Sequence, residues 1–324
     1  MNNHRILITS IFLHPGGEVD LKLRKEGCET IYKPFLTARG EDELIELLRE
    51  VDGVIVSSDP FTARVLDASP QLKVISRTGV GYDAIDVKAA TARGIIVCNT
   101  PGVNRHAVTE WTFALLLSCS RKLKENQAEV RAGGWTRHEG IDLAGKTLGL
   151  VGLGTIGKEV AQRADAFEMR ILACDVIRDT QFAEAHRVTF VSLEELLRES
   201  DFVSLHTFQN EKTRHLINAE RLALMKPTAF LINTARGGIV DTEALCRALT
   251  EKRIAGAALD VFEGEPLRAE STLRAIANLY LSPHVAGATA DARRLSGAMA
   301  ADNLVCALNG ERPPGILNPD VLAR

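Results

Sequence analysis

The 324-residue sequence lacks the features that mark several large classes of protein. No run of 18 apolar residues occurs, so we expect no membrane-spanning helix. The 39 basic and 42 acidic residues leave a formal net charge of −3, which gives no overall attraction to nucleic acid or to an anionic membrane. The six cysteines are scattered and form no CxxC pair. They predict reduced thiols in a cytoplasmic protein, with no disulfide framework and no metal site.

The residues that are present predict an α/β protein. With 45% hydrophobic and 25% charged residues the composition is that of a globular protein, and the length predicts two domains. Short β-rich runs alternate with helical patterns along the whole chain, which indicates parallel sheets covered by helices. The predicted strands are 6–9, 30–32, 53–56, 73–76, 94–98, 147–151, 171–174, 202–205, 229–232, 256–259 and 279–281. The predicted helices include 41–50, 62–68, 84–92, 106–123, 193–199, 219–225 and 288–308.

One stretch, residues 147–158, organises the chain. An apolar run passes directly into a turn that contains Gly152, Gly154 and Gly157, and a helical pattern follows. In the dinucleotide-binding fingerprint the first glycine makes the turn, the second lets the backbone approach the pyrophosphate, and the third packs the helix on the strand. Asp175 ends the next apolar run, where its carboxylate can accept both ribose hydroxyls and would repel a 2′-phosphate. The stretch therefore predicts a site for NAD and disfavours NADP.

A second glycine motif supplies a competing function. Residues 140–147 match the G-x-x-x-x-G-K-[ST] pattern of phosphate-binding NTPases. A working loop of that kind leaves a strand and opens a helix, so that the helix N-terminus meets the phosphates. Here a polar loop precedes the match and a strand follows it. We therefore interpret the match as chance.

Three consecutive predicted strands end in residues suited to carbonyl reduction. Arg236 follows the strand at 229–232, Glu265 lies shortly after the strand at 256–259, and His284 follows the strand at 279–281. Parallel strands present their carboxyl ends at one edge, where ligands of such sheets bind. An arginine there can grip a carboxylate through two hydrogen bonds, a histidine can give its proton to the carbonyl oxygen, and a carboxylate can stabilise the charged histidine.

Two more strand ends are candidates for ligand contact. The glycines of the loop at 77–83 let backbone N–H groups converge, which suits a small carboxylate, although a plain strand-to-helix turn is the alternative. His206 and Thr207 follow the strand at 202–205 and face the predicted cofactor crevice. A lone histidine in such a place is more often structural than catalytic.

Together these segments resemble the D-isomer-specific 2-hydroxyacid dehydrogenases, in particular their short phosphoglycerate-dehydrogenase-like members. The resemblance spans nearly the whole chain. It implies a Rossmann NAD-binding domain at 101–285 and a flavodoxin-like, discontinuous substrate-binding domain at 1–100 and 286–324. Family members are usually homodimers in which the nucleotide-binding domains meet. The motifs that carry the resemblance are 77–81, 99–102, the glycine fingerprint, 233–241, 258–262 and 282–284.

The resemblance also implies a role for individual residues. Arg236 would bind the substrate carboxylate, and His284 would act as acid and base while paired with Glu265. The backbone at Val80 and Gly81 would hold the same carboxylate from the other domain. The residues expected to contact NAD are Gly152, Gly154, Thr155, Ile156, Gly157, Asp175, Thr207, Thr234, Ala235 and Asp260.

Two departures from the family pattern concern ligand specificity. The segment at 206–210 lacks the His-x-Pro-Leu-Thr pattern of many members, which alters the wall on the adenosine side. Ser57-Ser58-Asp59 stands where phosphoglycerate dehydrogenases tend to place an arginine for the substrate phosphate, and Asp59 could repel that phosphate.

The substrate therefore stays open among 3-phosphoglycerate, glycerate or hydroxypyruvate, glyoxylate, and another small hydroxy acid. A glyoxylate or hydroxypyruvate reductase is one specific alternative. A non-enzymatic NAD-sensing protein is another, and the presence of Arg236, Glu265 and His284 argues against it, because sensing needs no proton donor.

Overall fold

The computed structural model of the protein describes residues 4–35 and 39–323. Contacts between residues divide the chain into two compact units. Unit 1 comprises Met1–Asn104 with Thr289–Arg324, and unit 2 comprises Arg105–Ala288. Unit 1 is thus discontinuous.

The elements follow the predicted alternation. In the described residues no helix is both long and apolar enough to cross a membrane. The strands are β1 (Arg5–Ile8), β2 (Glu29–Tyr32), β3 (Gly53–Val56), β4 (Val74–Arg77), β5 (Ile96–Cys98), β6 (Thr147–Val151), β7 (Arg170–Cys174), β8 (Val188–Phe190), β9 (Phe202–Leu205), β10 (Phe230–Asn233), β11 (Gly256–Leu259) and β12 (Leu279–Leu281). The α-helices are α1 (Glu18–Lys25), α2 (Glu41–Leu48), α3 (Ala63–Asp67), α4 (Val87–Ala92), α5 (Arg105–Ser120), α6 (Leu123–Arg131), α7 (Thr155–Ala166), α8 (Thr180–Ala185), α9 (Leu193–Glu199), α10 (Ala219–Leu222), α11 (Thr242–Thr250) and α12 (Ala290–Leu308). Short 3₁₀ helices occupy Gly237–Ile239, Thr272–Ala275 and Pro319–Ala323.

Unit 1 is built on a five-stranded parallel sheet with the order β2-β1-β3-β4-β5. This is the order of the flavodoxin-like doubly wound fold. Successive side chains of a strand point to opposite faces of the sheet. Accordingly, Leu7 of β1 packs in one core cluster with Leu44 of α2, whereas Ile6 packs in another with Ala300 and Leu304 of α12. Helix α12 therefore completes the core that the first hundred residues begin.

Unit 2 contains a seven-stranded parallel sheet with the order β12-β11-β10-β9-β6-β7-β8. Counted from β6, this is the Rossmann order with one further strand at the β12 edge. The strand order reverses between β6 and β9, which is the point where such sheets bind their ligands. The architecture of two doubly wound parallel sheets is thus the predicted one.

The long helix predicted at 106–123 is wrong in one respect. It ends at Ser120, and α6 begins at Leu123 after Lys122 takes the left-handed conformation with φ +48°. A β-unbranched lysine tolerates that conformation at a helix junction, but it stops helix propagation. Leu117 of α5 is 37% exposed in the single chain. Helix α5 contacts α7, β10 and β11, and its outward face carries Leu117.

Several elements of the fold were not predicted from the sequence. Helix α6 has a mainly charged and polar sequence and buries no residue, so it lacks the apolar stripe that predicts a packed helix. Helices α1, α8 and α11 and the short strand β8 were also missed. The match to the NTPase pattern at 140–147 ends at Thr147, the first residue of β6. A strand therefore follows the match, as the sequence indicated.

Unit 1 depends on one buried amide of α12. Asn303 is 0% exposed; its Nδ2 donates to the Asn99 carbonyl oxygen at 2.9 Å, and its Oδ1 accepts from the Gly315 N–H at 3.0 Å. We predict that Asn303→Ala, which leaves both backbone groups unpaired, lowers the free energy of unfolding by about 3 kcal/mol in urea denaturation. Asn309→Ala, at the exposed end of α12, is the control and should change it by less than about 0.5 kcal/mol. Equal losses in both variants would contradict this account.

Candidate active site

The glycine turn has the geometry of the dinucleotide-binding fingerprint. Gly152 has φ +99°, and a Cβ there would lie 2.7 Å from the carbonyl carbon of His206. Gly154 has no atom within 4 Å of the position of a Cβ, whereas a Cβ on Gly157 would collide with the Gly152 carbonyl oxygen. The first glycine thus makes the turn, the second leaves open space, and the third packs helix on strand.

The turn opens helix α7 with Gly154 as its N-cap, and no side chain caps the first backbone N–H groups. Thr155 is exposed and Ile156 is half-buried in the first turn. The uncapped N–H groups and the positive end of the helix dipole face the space over Gly154. These features fit a pyrophosphate.

Asp175 lies directly after β7, beside the glycine turn. Its Oδ2 accepts from the Leu153 N–H at 2.6 Å, and its Oδ1 accepts from the Ile177 N–H at 2.9 Å. A carboxylate can accept about four hydrogen bonds, so further acceptor capacity is available to ribose hydroxyls. The fixed negative charge is unfavourable for a 2′-phosphate.

Three large apolar side chains stand in solvent on the loops that flank the glycine turn. Val176 is 99% exposed and Ile177 is 78% exposed after β7, and Phe208 is 68% exposed after β9. Exposed apolar side chains on both sides of a phosphate-binding turn suit the flat face of an adenine ring.

His206 is a structural residue. Its Nε2 lies 2.9 Å from Ser204 Oγ, and burial lowers the pKa of the imidazole to about 4. The ring is therefore neutral at physiological pH and cannot act as a proton donor there. Thr207, predicted to contact NAD, follows it and is half-buried.

Arg236 stands on a turn that follows β10 and is fixed by a buried asparagine. Asn233 is 0% exposed; its Nδ2 donates to the Arg236 carbonyl oxygen at 2.9 Å, and its Oδ1 accepts from the Ala235 N–H at 3.0 Å. The Arg236 Nη1 donates to the Ala235 carbonyl oxygen at 2.8 Å. A Cβ on Gly237 would collide with the Phe262 carbonyl group, so this turn packs directly on the backbone that follows β11.

Asp260 anchors the loop that carries His284. The carboxylate of Asp260 is 0% exposed and accepts from Ser282 Oγ at 2.6 Å, from the Val285 N–H at 3.0 Å and from the Ala286 N–H at 2.8 Å. Its carbonyl oxygen also accepts from the His284 N–H at 2.8 Å. These bonds hold His284 at φ +53°, a left-handed conformation that is costly for a residue other than glycine.

His284 and Glu265 are in direct contact. The Nδ1 of His284 lies 2.6 Å from Glu265 Oε2, and Glu265 Oε1 accepts from the Phe262 N–H at 2.9 Å. Burial raises the pKa of Glu265, but the hydrogen bond from His284 and the nearby Arg236 outweigh it, so the pKa lies below the ordinary value. Glu265 is therefore a carboxylate at neutral pH. The His284 side chain is 51% exposed, so its ring is open to a ligand.

The structure thus brings Arg236, Glu265 and His284 to the carboxyl edge of one sheet. Thr234, also predicted to contact NAD, is 8% exposed, and its Oγ1 lies 3.2 Å from Thr112 Oγ1 of α5. Sequence reasoning missed Trp111, whose Nε1 donates to Ser282 Oγ at 3.2 Å and so supports the loop that Asp260 holds. The sequence carries no signal for this contact, because it joins the middle of a helix to a distant loop.

In unit 1 the loop after β4 is held by hydrogen bonds to the segment that follows β5. Gly79 has φ +151°, and its N–H donates to Thr100 Oγ1 at 2.8 Å. The Val80 carbonyl oxygen accepts from Asn99 Nδ2 at 2.7 Å, and Gly81 is buried next to it. The loop is therefore held rigidly, and carboxylate binding by Val80 and Gly81 stays a prediction.

The expectation that Asp59 repels a substrate phosphate requires correction. Asp59 is 1% exposed and forms a buried ion pair with Arg39, with Arg39 Nη1 3.0 Å from Asp59 Oδ1. Thr9 Oγ1 donates to the other oxygen at 2.5 Å. Arg39, which lies just before α2, compensates the charge of Asp59 inside the unit. The sequence around Asp59 did not indicate this partner.

Comparison with known proteins assigns the family. Residues 113–286 match the family model of the D-isomer specific 2-hydroxyacid dehydrogenase, NAD binding domain. The chain belongs to this family. A glyoxylate reductase of Thermofilum pendens is 43% identical over 99% of this chain and 96% of its own length. Another of Pyrococcus furiosus is 42% identical over 87% of this chain and 86% of its own.

Solved structures agree with the family assignment of this dehydrogenase. The TT0316 protein of Thermus thermophilus superposes with a TM-score of 0.89 at 40% identity, covering 97% of this chain and 99% of that one. The D-lactate dehydrogenase of Aquifex aeolicus, solved with NAD and lactic acid, gives a TM-score of 0.84 at 29% identity over 97% and 99% of the two chains. This dehydrogenase is an NAD-dependent oxidoreductase of 2-hydroxy acids. Among its described residues, no group of histidine, cysteine and acidic side chains is arranged to hold a metal ion.

Cofactor preference provides a test of the role of Asp175. We predict that Asp175→Ala lowers the ratio of the Kd for NADPH to the Kd for NADH by about tenfold or more, because a charge that repels the 2′-phosphate is lost. Titration of the protein with each reduced cofactor, followed by nicotinamide fluorescence, measures both constants. Glu184→Ala, which removes an exposed carboxylate on α8, is the control and should leave the ratio unchanged. An unchanged ratio in Asp175→Ala would refute the assignment.

Proposed function

We propose that this dehydrogenase reduces glyoxylate to glycolate with NADH, and that hydroxypyruvate is its second substrate. The observation that carries the proposal is the contact of 2.6 Å between His284 and Glu265, on the sheet edge that also presents Arg236. Relatives that are 42–45% identical over most of this chain bear the name glyoxylate reductase. The names of these relatives support a small 2-oxo acid, rather than a phosphorylated one, as the substrate of this dehydrogenase.

The proposed chemistry assigns one task to each residue. Arg236 binds the substrate carboxylate through two parallel hydrogen bonds, which fixes the carbonyl group at the sheet edge. NADH, when bound, supplies the hydride for the carbonyl carbon. His284 donates a proton from Nε2 to the carbonyl oxygen, because its Nδ1 is already bonded to Glu265. Glu265 stabilises the imidazolium form of that histidine and fixes its orientation.

Features of unit 1 also favour an unphosphorylated substrate. Ser57 and Ser58 after β3 are neutral, and Arg39 is engaged inside the unit by Asp59, by Glu43 at 3.1 Å and by the Lys33 carbonyl oxygen at 2.7 Å. A guanidinium whose donors point into the unit is poorly placed to receive a phosphate. We therefore rank 3-phosphohydroxypyruvate below glyoxylate and hydroxypyruvate. Val80 and Gly81 would contribute backbone N–H groups to the substrate carboxylate.

We further propose that this dehydrogenase is a homodimer that meets through α5, α6 and the loop after them. Large apolar side chains stand exposed there: Leu117 is 37% exposed, Leu123 48%, Val130 58% and Trp135 80%. Large apolar side chains exposed on consecutive elements are typical of a protein interface. The described cysteines are free, which suits the reducing environment of the cytoplasm.

The catalytic proposal is tested by His284→Ala. The wild-type protein should oxidise NADH with glyoxylate and hydroxypyruvate in a panel of 2-oxo acids. His284→Ala should lower the turnover number about 100-fold or more, because the proton donor is lost, and should leave the Kd for NADH nearly unchanged. His138→Ala, on the loop after α6, is the control and should keep full turnover. Full turnover in His284→Ala would remove that residue from the mechanism, and a wild type inactive on every acid would remove the proposed reaction.

The dimer proposal is tested by the molar mass in solution. Size-exclusion chromatography with light scattering should give a dimer for the wild type and a monomer for the double variant Val130→Asp, Trp135→Glu, because burying two charges in an apolar contact is unfavourable. Leu21→Glu, which adds a charge at a residue of α1 that is 60% exposed, should remain a dimer. A monomeric wild type would contradict the proposal.

A further inference from the structure

We propose that Glu263 and His215 are positioning residues that hold Glu265 against His284 and fix that contact relative to the turn of Arg236. The inference rests on the proposed roles of those three residues. It concerns a second histidine–glutamate contact in unit 2, in which Nε2 of His215 lies 2.7 Å from Glu263 Oε1.

The segment between β11 and Glu265 is buried at its start, where Val261 is 2% exposed and Phe262 packs against the core, and is exposed from Glu263 onward. Residues 263–266 are exposed, and Gly264 has no atom within 4 Å of the position of a Cβ. The start of the segment is fixed, because Asp260 is buried and bonded to the loop that carries His284. The end of the segment carries Glu265. The location of that glutamate therefore depends on whatever holds the middle of the segment.

Glu263 holds the middle of the segment at two points. Its Oε1 contacts His215, and its Oε2 accepts from the Thr242 N–H at 3.3 Å, at the first residue of α11. Burial raises the pKa of Glu263, but the hydrogen bonds from Thr242 and His215 lower the pKa by more than burial raises it. The pKa therefore lies below its ordinary value, and the group is a carboxylate at neutral pH. The same side chain thus ties the segment to a helix and to the loop that follows β9.

His215 connects this contact to the turn that carries Arg236. The His215 N–H donates to the Gly238 carbonyl oxygen at 2.8 Å, and His215 takes the left-handed conformation with φ +49°. A Cβ on Gly237 would collide with the backbone of Phe262 and Glu263, so the arginine turn packs directly against that segment. One residue therefore bonds through its backbone to the arginine turn and through its ring to the glutamate segment.

This geometry separates a positioning role from a merely structural one. The side chains of His215 and Glu263 are 37% and 30% exposed, and partly exposed ion pairs contribute little to stability. Loss of the pair should therefore change the melting temperature only slightly. It should change catalysis more, because a displacement of about 1 Å between catalytic groups lowers rates by up to 100-fold.

The charged groups that face the catalytic pair define the second readout. Glu265 faces His284 and Arg236, and Asp260 holds the backbone behind His284. A carboxylate in contact with the histidine favours its protonated form, which reduction requires. If Glu265 moves away, the pH profile of kcat/KM should therefore differ from that of the wild type.

The experiment compares Glu263→Ala with a matched control, Glu251→Ala. Glu251 also forms an exposed ion pair at 2.7 Å, with Arg253, but lies at the far end of α11. We expect Glu263→Ala to lower kcat/KM for glyoxylate by about 10-fold to 100-fold and to change its pH profile. The Kd for NADH should stay within about twofold of the wild type, and Glu251→Ala should match the wild type in every measurement.

Variants of the partner residue complete the test. His215→Ala should reproduce the loss, His215→Gln should restore much of it because an amide can donate to Glu263, and the double alanine variant should be no worse than either single one. A crystal structure of Glu263→Ala should place His284 Nδ1 beyond about 3.5 Å from Glu265 Oε2, outside hydrogen-bond distance. This readout needs no turnover, so it tests the inference even where the wild type reduces no acid and the proposed function itself fails.

Three results would overturn the inference. The first is a kcat/KM and a pH profile of Glu263→Ala equal to those of Glu251→Ala. The second is a lower melting temperature with unchanged kinetics, which would assign the pair a structural role alone. The third is an intact His284–Glu265 contact in the variant. Where Glu263→Ala does not fold, His215→Ala removes the same contact from the other side and decides by the same measurements.

Discussion

The active site depends on the buried carboxylate of Asp260. A buried charge is stable only when hydrogen bonds compensate it, and here the compensating donors are Ser282 Oγ and two backbone N–H groups of the loop that follows β12. The compensation has a consequence for chemistry, because the same bonds fix His284 in a left-handed conformation beside Glu265. The carboxylate whose charge these donors compensate thus also holds His284, the proposed proton donor, in place. A substitution of Asp260 would therefore disturb both the fold and the proposed catalytic contact.

The parallel sheet explains why residues distant in sequence act together. Strands β10, β11 and β12 are neighbours and run in the same direction, so the residues that follow them emerge at one edge. Arg236, Glu265 and His284 each follow one of these strands. The glycine turn follows β6 at the same edge, on the other side of β9. Strand order thus separates the glycine turn from Arg236, Glu265 and His284 by a fixed number of strands.

Much of this arrangement could be predicted from the sequence, because it rests on local signals. Apolar runs gave β6, β9, β11 and β12 within their observed bounds, and the glycine spacing indicated the turn of α7. Contacts between distant segments left no such signal. Arg39 and Asp59 form an ion pair although they lie 20 positions apart in the sequence. His215 follows β9 and contacts Glu263, which follows β11. The hydrogen bonds of buried Asp260 likewise cannot be predicted from the motif at 258–262. A motif shows that a residue matters, but it does not show which atoms the residue bonds.

The return of α12 to unit 1 affects the order of events during synthesis. Ala300, Ala301 and Leu304 fill the core against β1 and β3, so the first hundred residues emerge from the ribosome without the helix that covers one face of their sheet. Unit 2 is a continuous stretch and can close its own core while the last residues are still being added. The half of the molecule that is made first is therefore finished last. Until α12 is made, the apolar face of the unit 1 sheet that this helix covers is exposed, and a chaperone could bind it.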